Sequence, residues 1–489
     1  MKTVIEAIKF YAQTTPDALC IADIDKEGAM RSCTYSEFWT DAKKGAAALS
    51  DKGIKRGHHV AVECTQDGRF LKLEAACAIV GAVFIPVERK ASAENVSMIT
   101  GETAADLFLY ENEYRVTCPA ESIDSILSYP GNADLEYTLP EPDDTAQILF
   151  TTGTTGKSKG IEMTFGANFA LAENVKEGVE MKEGNVELLP LPLSHSHGLR
   201  CIYANYINGS AVVVMDGVTR VKLVFDLLDA FKVTAMDISP SAARVLLKLS
   251  KGKLKDYAGI IDYIQLGTAP LPEDTKQELL TLLPGSRLYN FYGSTESGRS
   301  CVLDFSKVNR PNCIGRPSKN ARFMVTDDER NEIKSDPENP GLLACAGAMN
   351  MKGYYRQEEL TRQTMKDGFI FTNDLSYIDE EGYIYVLGRR DDVINYKGIK
   401  IAPDEIEAAA MKFPAVKDCA CVPKADKMSG QVPKLFVSLN EGMELDKKDL
   451  LAFLEDYIDP NKMPKMIEVI DVIPRTSNGK LRRIELRDR

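Results

Sequence analysis

The densest chemistry in the chain lies between 147 and 160. A short apolar run over 147–150 leads into Thr151, Thr152, Gly153, Thr154, Thr155, Gly156, Lys157, Ser158, Lys159 and Gly160, and a second strand-like run follows. Glycines let backbone N–H groups close on an anion, hydroxyls add donors, and lysines supply charge, so this composition suits a polyphosphate. A P-loop is disfavoured, because that motif needs glycine at 151, where Thr stands, and a helix after its lysine, for which no pattern is present. A second set of reactive types is grouped at Thr295 and Glu296, a hydroxyl and a carboxylate that follow Asn290, Phe291, Tyr292 and Gly293. The chain has four histidines, at 58, 59, 195 and 197, from which no metal-ligand spacing can be built.

These residues need a frame, and the central third supplies the clearest one. Strand-like runs at 211–215, 233–238, 261–267 and 287–293 alternate with helical periodicity at 221–232, 241–249 and 272–284. Short connections between alternating strands and helices predict a parallel sheet with helices on its faces. Such sheets bind ligands beyond the carboxyl ends of their strands, so the loops after Gln265 and Phe291 are the ones to watch. The first third repeats the pattern, with helices at 3–13, 35–52 and 69–80 and strands at 59–64 and 83–87. From about 345 the character changes to short antiparallel strands at 369–371 and 382–386. Beyond 392 lies a compact α+β stretch, with helices at 403–412 and 446–457 and strands near 418–422, 434–438 and 467–473.

Length and charge bound the rest. At 489 residues the chain is about three times the usual domain length, so more than one core is expected. A formal net charge of −12 argues against a broad nucleic-acid surface while leaving room for a local basic pocket. No apolar run is long enough to span a membrane, and 1–13 reads as an amphipathic helix, not a signal peptide. The eleven cysteines are scattered, and the pair Cys419 and Cys421 sits in a strand-like run, so reduced thiols packed in the core are expected. A cytoplasmic enzyme is the expectation.

At this point the chain resembles the AMP-forming adenylating superfamily: acyl- and aryl-CoA synthetases, peptide-synthetase adenylation domains and beetle luciferases. The 151–160 segment is similar to the signature loop of that family. Pro192, Leu193, Ser194 and His195 resemble its P-x-x-H segment, and Gly267, Thr268, Ala269, Pro270 and Leu271 its G-x-A-P-L loop. The 290–296 segment resembles N-x-Y-G-x-T-E, and 372–375 stands where T-G-D-L is usual. Gly388, Arg389, Arg390, Asp391 and Asp392, followed by Tyr396, Lys397 and Gly398, look like the crossover segment, and 474–480 resembles the terminal lysine motif. Each motif alone is compatible with an ordinary structural role; seven in the same order are specific.

The resemblance implies an α/β fold with a large N-terminal domain, 1–388, of parallel-rich sheets with flanking helices plus a distorted β-barrel. A hinge at 389–391 and a small mobile α+β domain, 392–489, would complete it. It implies ATP, Mg²⁺ and coenzyme A, or phosphopantetheine on an acyl carrier protein, as cofactors, and a small carboxylic acid as substrate. No nucleic-acid partner and no membrane span are implied. Catalysis would fall to Lys480, Glu296, Thr295 and Lys397, with Glu296 as the Mg²⁺ carboxylate. The 151–159 loop (Thr151 to Gly156, Lys157 and Lys159), Gly267, Thr268, Ala269, Asn290, Phe291, Tyr292, Gly293, Asp374 and Arg389 would bind the nucleotide. In this scheme Tyr292 lies against adenine and Asp374 takes the ribose diol, for which an acceptor-only carboxylate is well suited. Asp391 is the implied hinge, and Lys397 with Gly398 the implied thiol tunnel.

His197, Gly198, Gly267, Gly298 and Arg299 are expected to line the acid pocket, with His197 preferred to His195 because it directly precedes Gly198. Arg200 and Arg299 are unusual charges near that pocket; both face solvent or an acid in the favoured reading, and in the other one of them pairs with a second carboxylate or a polar ring substituent of the substrate. A small aromatic or a short-to-medium aliphatic acid is the class implied. The chain departs from the family pattern at Ser158, Asn373, Asn395 and Lys400, which puts loop geometry in question but removes no charge the chemistry needs.

Overall fold

Four stretches, Ala211–Val214, Ala235–Ile238, Tyr263–Leu266 and Val83–Val87, are buried along their whole length. Strands covered on both faces read as unbroken apolar runs, and that is why these segments were legible as parallel-sheet strands. The computed structural model describes residues 1–132, 136–152, 158–396, 399–426, 428–475, 481–487 and 489. It divides into two compact units, one of Met1–Arg310, Ile314–Phe323 and Cys345–Ile370, the other of Pro311–Cys313, Met324–Ala344 and Phe371–Arg489.

The first unit holds two sheets. In one, Leu19–Ile24, Ala211–Val214, Val186–Leu189, Ala235–Ile238, Tyr263–Leu266 and Arg287–Ser294 run side by side in that order, all parallel. Antiparallel strands flank them, Met30–Thr34 at one end and Gly298–Asp304 at the other. In the second sheet Thr145–Thr152, Val83–Val87, His59–Glu63, Leu107–Tyr110 and Ala120–Ser122 are parallel neighbours, and Ser158–Thr164 returns antiparallel beside Thr145–Thr152. The strand that follows the 151–160 segment, with no helix directly after its lysines, matches the sequence reading.

Helix starts follow local chemistry. Thr3 and Thr34 each form a reciprocal capping box, with Glu6 and Glu37, at the heads of Val4–Thr14 and Tyr35–Asp51. Gly81 ends Gly68–Val80 in the left-handed conformation, φ 72°. The principal core lies between these helices and the sheets, with Phe38, Phe70, Leu71 and Tyr206 fully buried, each worth roughly 1.5–3 kcal/mol relative to exposure.

In the second unit, Val416–Asp426 and Gly430–Leu439 form a long antiparallel pair, Met466–Val469 adds parallel to the latter, and Ile394–Tyr396 pairs with Ile399–Ile401. Helices Pro403–Ala410 and Lys447–Leu454 cover this sheet over Ile406, Leu435, Val437 and Leu450. Cys419 and Cys421 point into that core, 2% and 0% exposed, as expected of packing cysteines. The expected strand at 467–473 stops at Val469, which stands opposite Val437 of Gly430–Leu439. Among the described residues every sheet follows an open path with edge strands, so the distorted β-barrel expected from the resemblance is not seen; closure would need the two end strands to pair.

Candidate active site

Four adjacent parallel strands deliver residues to one place. Beyond Val186–Leu189 comes the 190–195 segment and the helix Ser196–Asn208; Ala235–Ile238 carries Asp237; Tyr263–Leu266 is followed by Gly267; and Arg287–Ser294 leads to Thr295 and Glu296. All lie toward the carboxyl ends of the strands, where open parallel sheets hold their ligands.

The Thr295–Glu296 turn is tightly determined. A Cβ on Gly293 would lie 1.7 Å from the carbonyl oxygen of Gly298, so only glycine lets Arg287–Ser294 and Gly298–Asp304 close here. The Thr295 hydroxyl is 3.0 Å from Ser196 Oγ, and its carbonyl accepts from Arg200 Nη1 at 3.0 Å. The Glu296 carbonyl accepts from the Met351 amide at 2.7 Å, and its Oε1 accepts from the Tyr354 hydroxyl at 2.9 Å. Tyr354 sits in a two-residue strand opposite Ile161, and the Lys159 ammonium stands 5.6 Å from the centre of its ring. Lysine, tyrosine and carboxylate therefore line up from the strand Ser158–Thr164 to the Glu296 turn. A carboxylate anchored through one oxygen keeps the other for a hard divalent cation, so the donor set fits Mg²⁺.

The expected acid-pocket residues divide in two. His195 caps the helix Ser196–Asn208, its Nδ1 accepting from the His197 amide at 3.3 Å, whereas His197 reaches across to Asp237, Nε2 to Oδ1 3.0 Å. Arg299 Nη2 donates to Asp237 Oδ2 at 2.8 Å and to Cys201 Sγ at 2.8 Å, and contacts His197 Nε2, while its Nη1 donates to Gln265 Oε1. Gln265 in turn donates to Glu187 Oε1 at 2.6 Å, and Asn205 to Glu187 Oε2 at 2.6 Å. The guanidinium also lies 4.7 Å from the centre of the Phe291 ring.

Burial raises the Asp237 carboxyl, but Arg299 and His197 outweigh it and hold the group below the usual range; burial and the neighbouring Asp237 push Glu187 up to about 7. His197, Cys201 and Asp237 group like a metal-ligand set, yet the Arg299 guanidinium is already bonded to both the thiol and the carboxylate. Arg299 therefore meets an acid of the chain itself.

Three glycines expected to line this pocket serve different ends. A Cβ on Gly267 would sit 2.7 Å from His197 Cε1, so Gly267 makes room for the imidazole. A Cβ on Gly198 would sit 2.3 Å from the carbonyl of Pro192, and one on Gly298 2.6 Å from Leu171 Cδ1; the first makes room for backbone and the second for a core side chain. Thr268 holds φ 79°, a left-handed conformation costly for a β-branched residue, next to the exposed Ala269.

Asn290 and Phe291 are buried, and Tyr292 is half-buried, its ring 6.5 Å from Phe323. In the second unit Asp374 stands opposite Arg389 in an antiparallel pair, carboxyl to Nε 3.6 Å, with its amide donating to Thr372 Oγ1 at 3.1 Å. Arg487 donates to the Asp391 carbonyl at 2.5 Å and to Asp392 Oδ1 at 2.5 Å. The Thr151 and Thr152 backbones end the strand Thr145–Thr152; the Thr152 side chain and Gly153, Thr154, Thr155, Gly156, Lys157, Lys397, Gly398 and Lys480 lie outside the described residues.

Sequence reasoning missed Tyr354, Asp237, Gln265 and Glu187. Tyr354 lies 58 positions from Glu296 and carries no motif of its own. Asp237, Gln265 and Glu187 are polar residues inside otherwise apolar strand runs, a signal that was available.

The family model for the AMP-binding enzyme matches residues 9–355, and that for the AMP-binding enzyme C-terminal domain matches 405–480. The chain belongs to the AMP-binding enzyme family, a class of adenylate-forming acid–thiol ligases. Among curated proteins it is 28% identical to the fatty acid–[acyl-carrier-protein] ligase ScoC of Streptomyces coeruleorubidus, over 100% of this chain and 96% of that one. It is 26% identical to 2-succinylbenzoate–CoA ligase of Bacillus licheniformis, over 98% of each chain. Among solved structures, o-succinylbenzoate CoA synthetase (MenE) of Bacillus subtilis with its acyl-adenylate intermediate superposes with a TM-score of 0.88 at 24% identity, covering 99% and 98% of the two chains. ATP-bound MatB of Rhodopseudomonas palustris does so with 0.87 at 24%, covering 98% of each.

Proposed function

We propose that this chain activates a small carboxylic acid with Mg-ATP, forming an acyl-adenylate and releasing pyrophosphate, and then passes the acyl group to the thiol of coenzyme A. The observation that supports it most is the alignment of Lys159, Tyr354 and Glu296 beside Thr295, at the carboxyl ends of the parallel strands. A carboxylate attacking ATP must approach a negatively charged phosphorus, so catalysis is chiefly positioning and electrostatic stabilisation. In this reading Glu296 holds Mg²⁺, which when bound supplies divalent charge to phosphate oxygens. Thr295 donates to a phosphate, Lys480 approaches the attacking carboxylate, Tyr292 packs on adenine and Asp374 takes the ribose hydroxyls. Residues 1–388 and 392–489 would act as separate domains about a hinge at 389–391, with Lys397 and Gly398 serving the thiol step.

The acid pocket, His197, Gly198, Gly267, Gly298 and Arg299, ends on a charged hydrogen-bonded network, which supports a compact acid over a long alkyl chain. The location proposed is the cytoplasm: no disulfide joins any of the eleven cysteines, and among the described residues no helix is long and apolar enough to cross a membrane.

Pyrophosphate release across a panel of aromatic and aliphatic acids tests the first step; background rates for every acid would remove the proposal. The similarity to an acyl-carrier-protein ligase favours a second acceptor, carrier-protein phosphopantetheine. Supplying coenzyme A and a holo-carrier protein in separate reactions distinguishes them by which thioester accumulates.

A further inference from the structure

Arg200 is 3% exposed, and its Nη1 donates to the Thr295 carbonyl at 3.0 Å. Its Nε and Nη2 are also buried and meet no hydrogen-bond acceptor among the described residues. Arg299, buried to a similar degree, behaves differently: it is bonded to Asp237. Ser196 lies one helical turn before Arg200 in Ser196–Asn208, and its hydroxyl is 3.0 Å from Thr295 Oγ1. One face of this helix thus holds Thr295 by both side chain and carbonyl.

A buried cation with no ion-pair partner within contact distance among the described residues costs several kcal/mol, and the fold bears it directly behind the Thr295–Glu296 turn. Burial pulls the guanidinium down to about 10, only partly opposed by Tyr203 and Glu296. Glu296 offsets that charge only in part, and the further anions expected in front of the turn are the phosphates of the nucleotide.

We propose that Arg200 is a positioning residue of the nucleotide site: it fixes Thr295 and Glu296 from behind and keeps positive charge against the triphosphate bound in front of them. The inference rests on the nucleotide reading above. It requires that removing the charge weaken nucleotide binding and that a lysine in its place restore most of it, a charge dependence that a packing role does not produce.

The test uses full-length wild-type, R200M and R200K proteins, with melting temperature measured without nucleotide and Mg-ATP affinity measured by calorimetry. R200M is expected to melt at or above wild type and to bind Mg-ATP about tenfold more weakly, with most of that affinity recovered in R200K. Should R200M melt lower, recovered binding in R200K still supports the proposal, and binding lost equally in both variants overturns it. R200M that binds Mg-ATP as wild type does overturns it too. Wild type that fails to bind Mg-ATP overturns the nucleotide reading itself and the inference with it.

Discussion

The Tyr354 hydroxyl donates to Glu296 Oε1 at 2.9 Å, joining a two-residue strand to the turn that carries the candidate metal carboxylate. Tyr354 is placed by its antiparallel pairing with Ile161, and the same strand, Ser158–Thr164, carries Lys159 under its ring. Two sheets of the first unit thereby share one polar contact at the site.

Removing that hydroxyl leaves the fold in place and loosens the carboxylate. Tyr354→Phe is expected to slow adenylation about tenfold, the loss of one hydrogen bond to a charged group. The Mg²⁺ concentration giving half-maximal rate should rise several-fold, with little change in melting temperature. Pyrophosphate release titrated with Mg²⁺ checks it; an unchanged Mg²⁺ requirement would dissociate Tyr354 from the metal carboxylate.

The His197–Gly267 contact gives a second expectation. Gly267→Ala places a methyl 2.7 Å from His197 Cε1, so the imidazole must move and the pairing with Asp237 and Arg299 is disturbed. Overpacking of this kind costs about 1–3 kcal/mol. The kcat/KM profile over acids of increasing length should shift toward shorter ones, and urea denaturation should show the stability loss. A unchanged profile would place the acid away from His197.

What the sequence made legible and what it hid follow from the range of the interactions. Strands such as Val83–Val87 and Ala211–Val214 announce themselves because continuous burial selects continuous apolar side chains. The 290–296 segment was readable because its glycine and its turn are local requirements. Asp237 was hidden as a partner because the residues it meets lie 40 positions before it and 62 after it, and only the tertiary arrangement of strands and helix brings them together. Barrel closure is long-range in the same way: it depends on which edge strands meet, and short antiparallel strands look alike whether or not they close.

Acid–base behaviour supplies a third prediction away from the nucleotide. Glu74 is fully buried, accepting from Gln147 Nε2 at 2.9 Å and from the Tyr203 hydroxyl, and burial pushes its carboxyl up to about 8 despite those two bonds. A carboxyl that holds its proton more tightly when folded favours the fold fully only below its unfolded pKa of about 4.5, and that contribution is lost as pH rises toward 8. Glu74→Gln removes the titration at nearly constant shape. Its stability relative to wild type should therefore climb between about pH 4.5 and pH 8 and level off above, by on the order of a few kcal/mol. Chemical denaturation of both proteins across that range checks the sign; a flat difference would mean that Glu74 ionises as freely folded as unfolded.

The last prediction concerns the candidate hinge. Arg487 holds the Asp391 carbonyl and the Asp392 carboxylate, and its neighbour Arg483 holds Glu407 at 2.8 Å and Asp404 at 2.5 Å, so the tail helix Ile484–Arg487 is tied to both the hinge segment and the helix Pro403–Ala410. The two arginines differ in what they leave behind. Glu407 is buried, which pushes it up to about 7 even beside Arg483, so Arg483→Met strands a buried carboxylate and should destabilise the second unit by about 3–5 kcal/mol. Arg487→Met leaves a backbone carbonyl and a half-buried carboxylate that water can reach, and should cost much less. Its expected effect is on the hinge: single-turnover thioester formation from supplied acyl-adenylate and coenzyme A changes more than pyrophosphate release does. Equal changes in both half-reactions would remove Asp391 from the hinge, because a dihedral swivel between two steps must affect the step that follows it more than the one before.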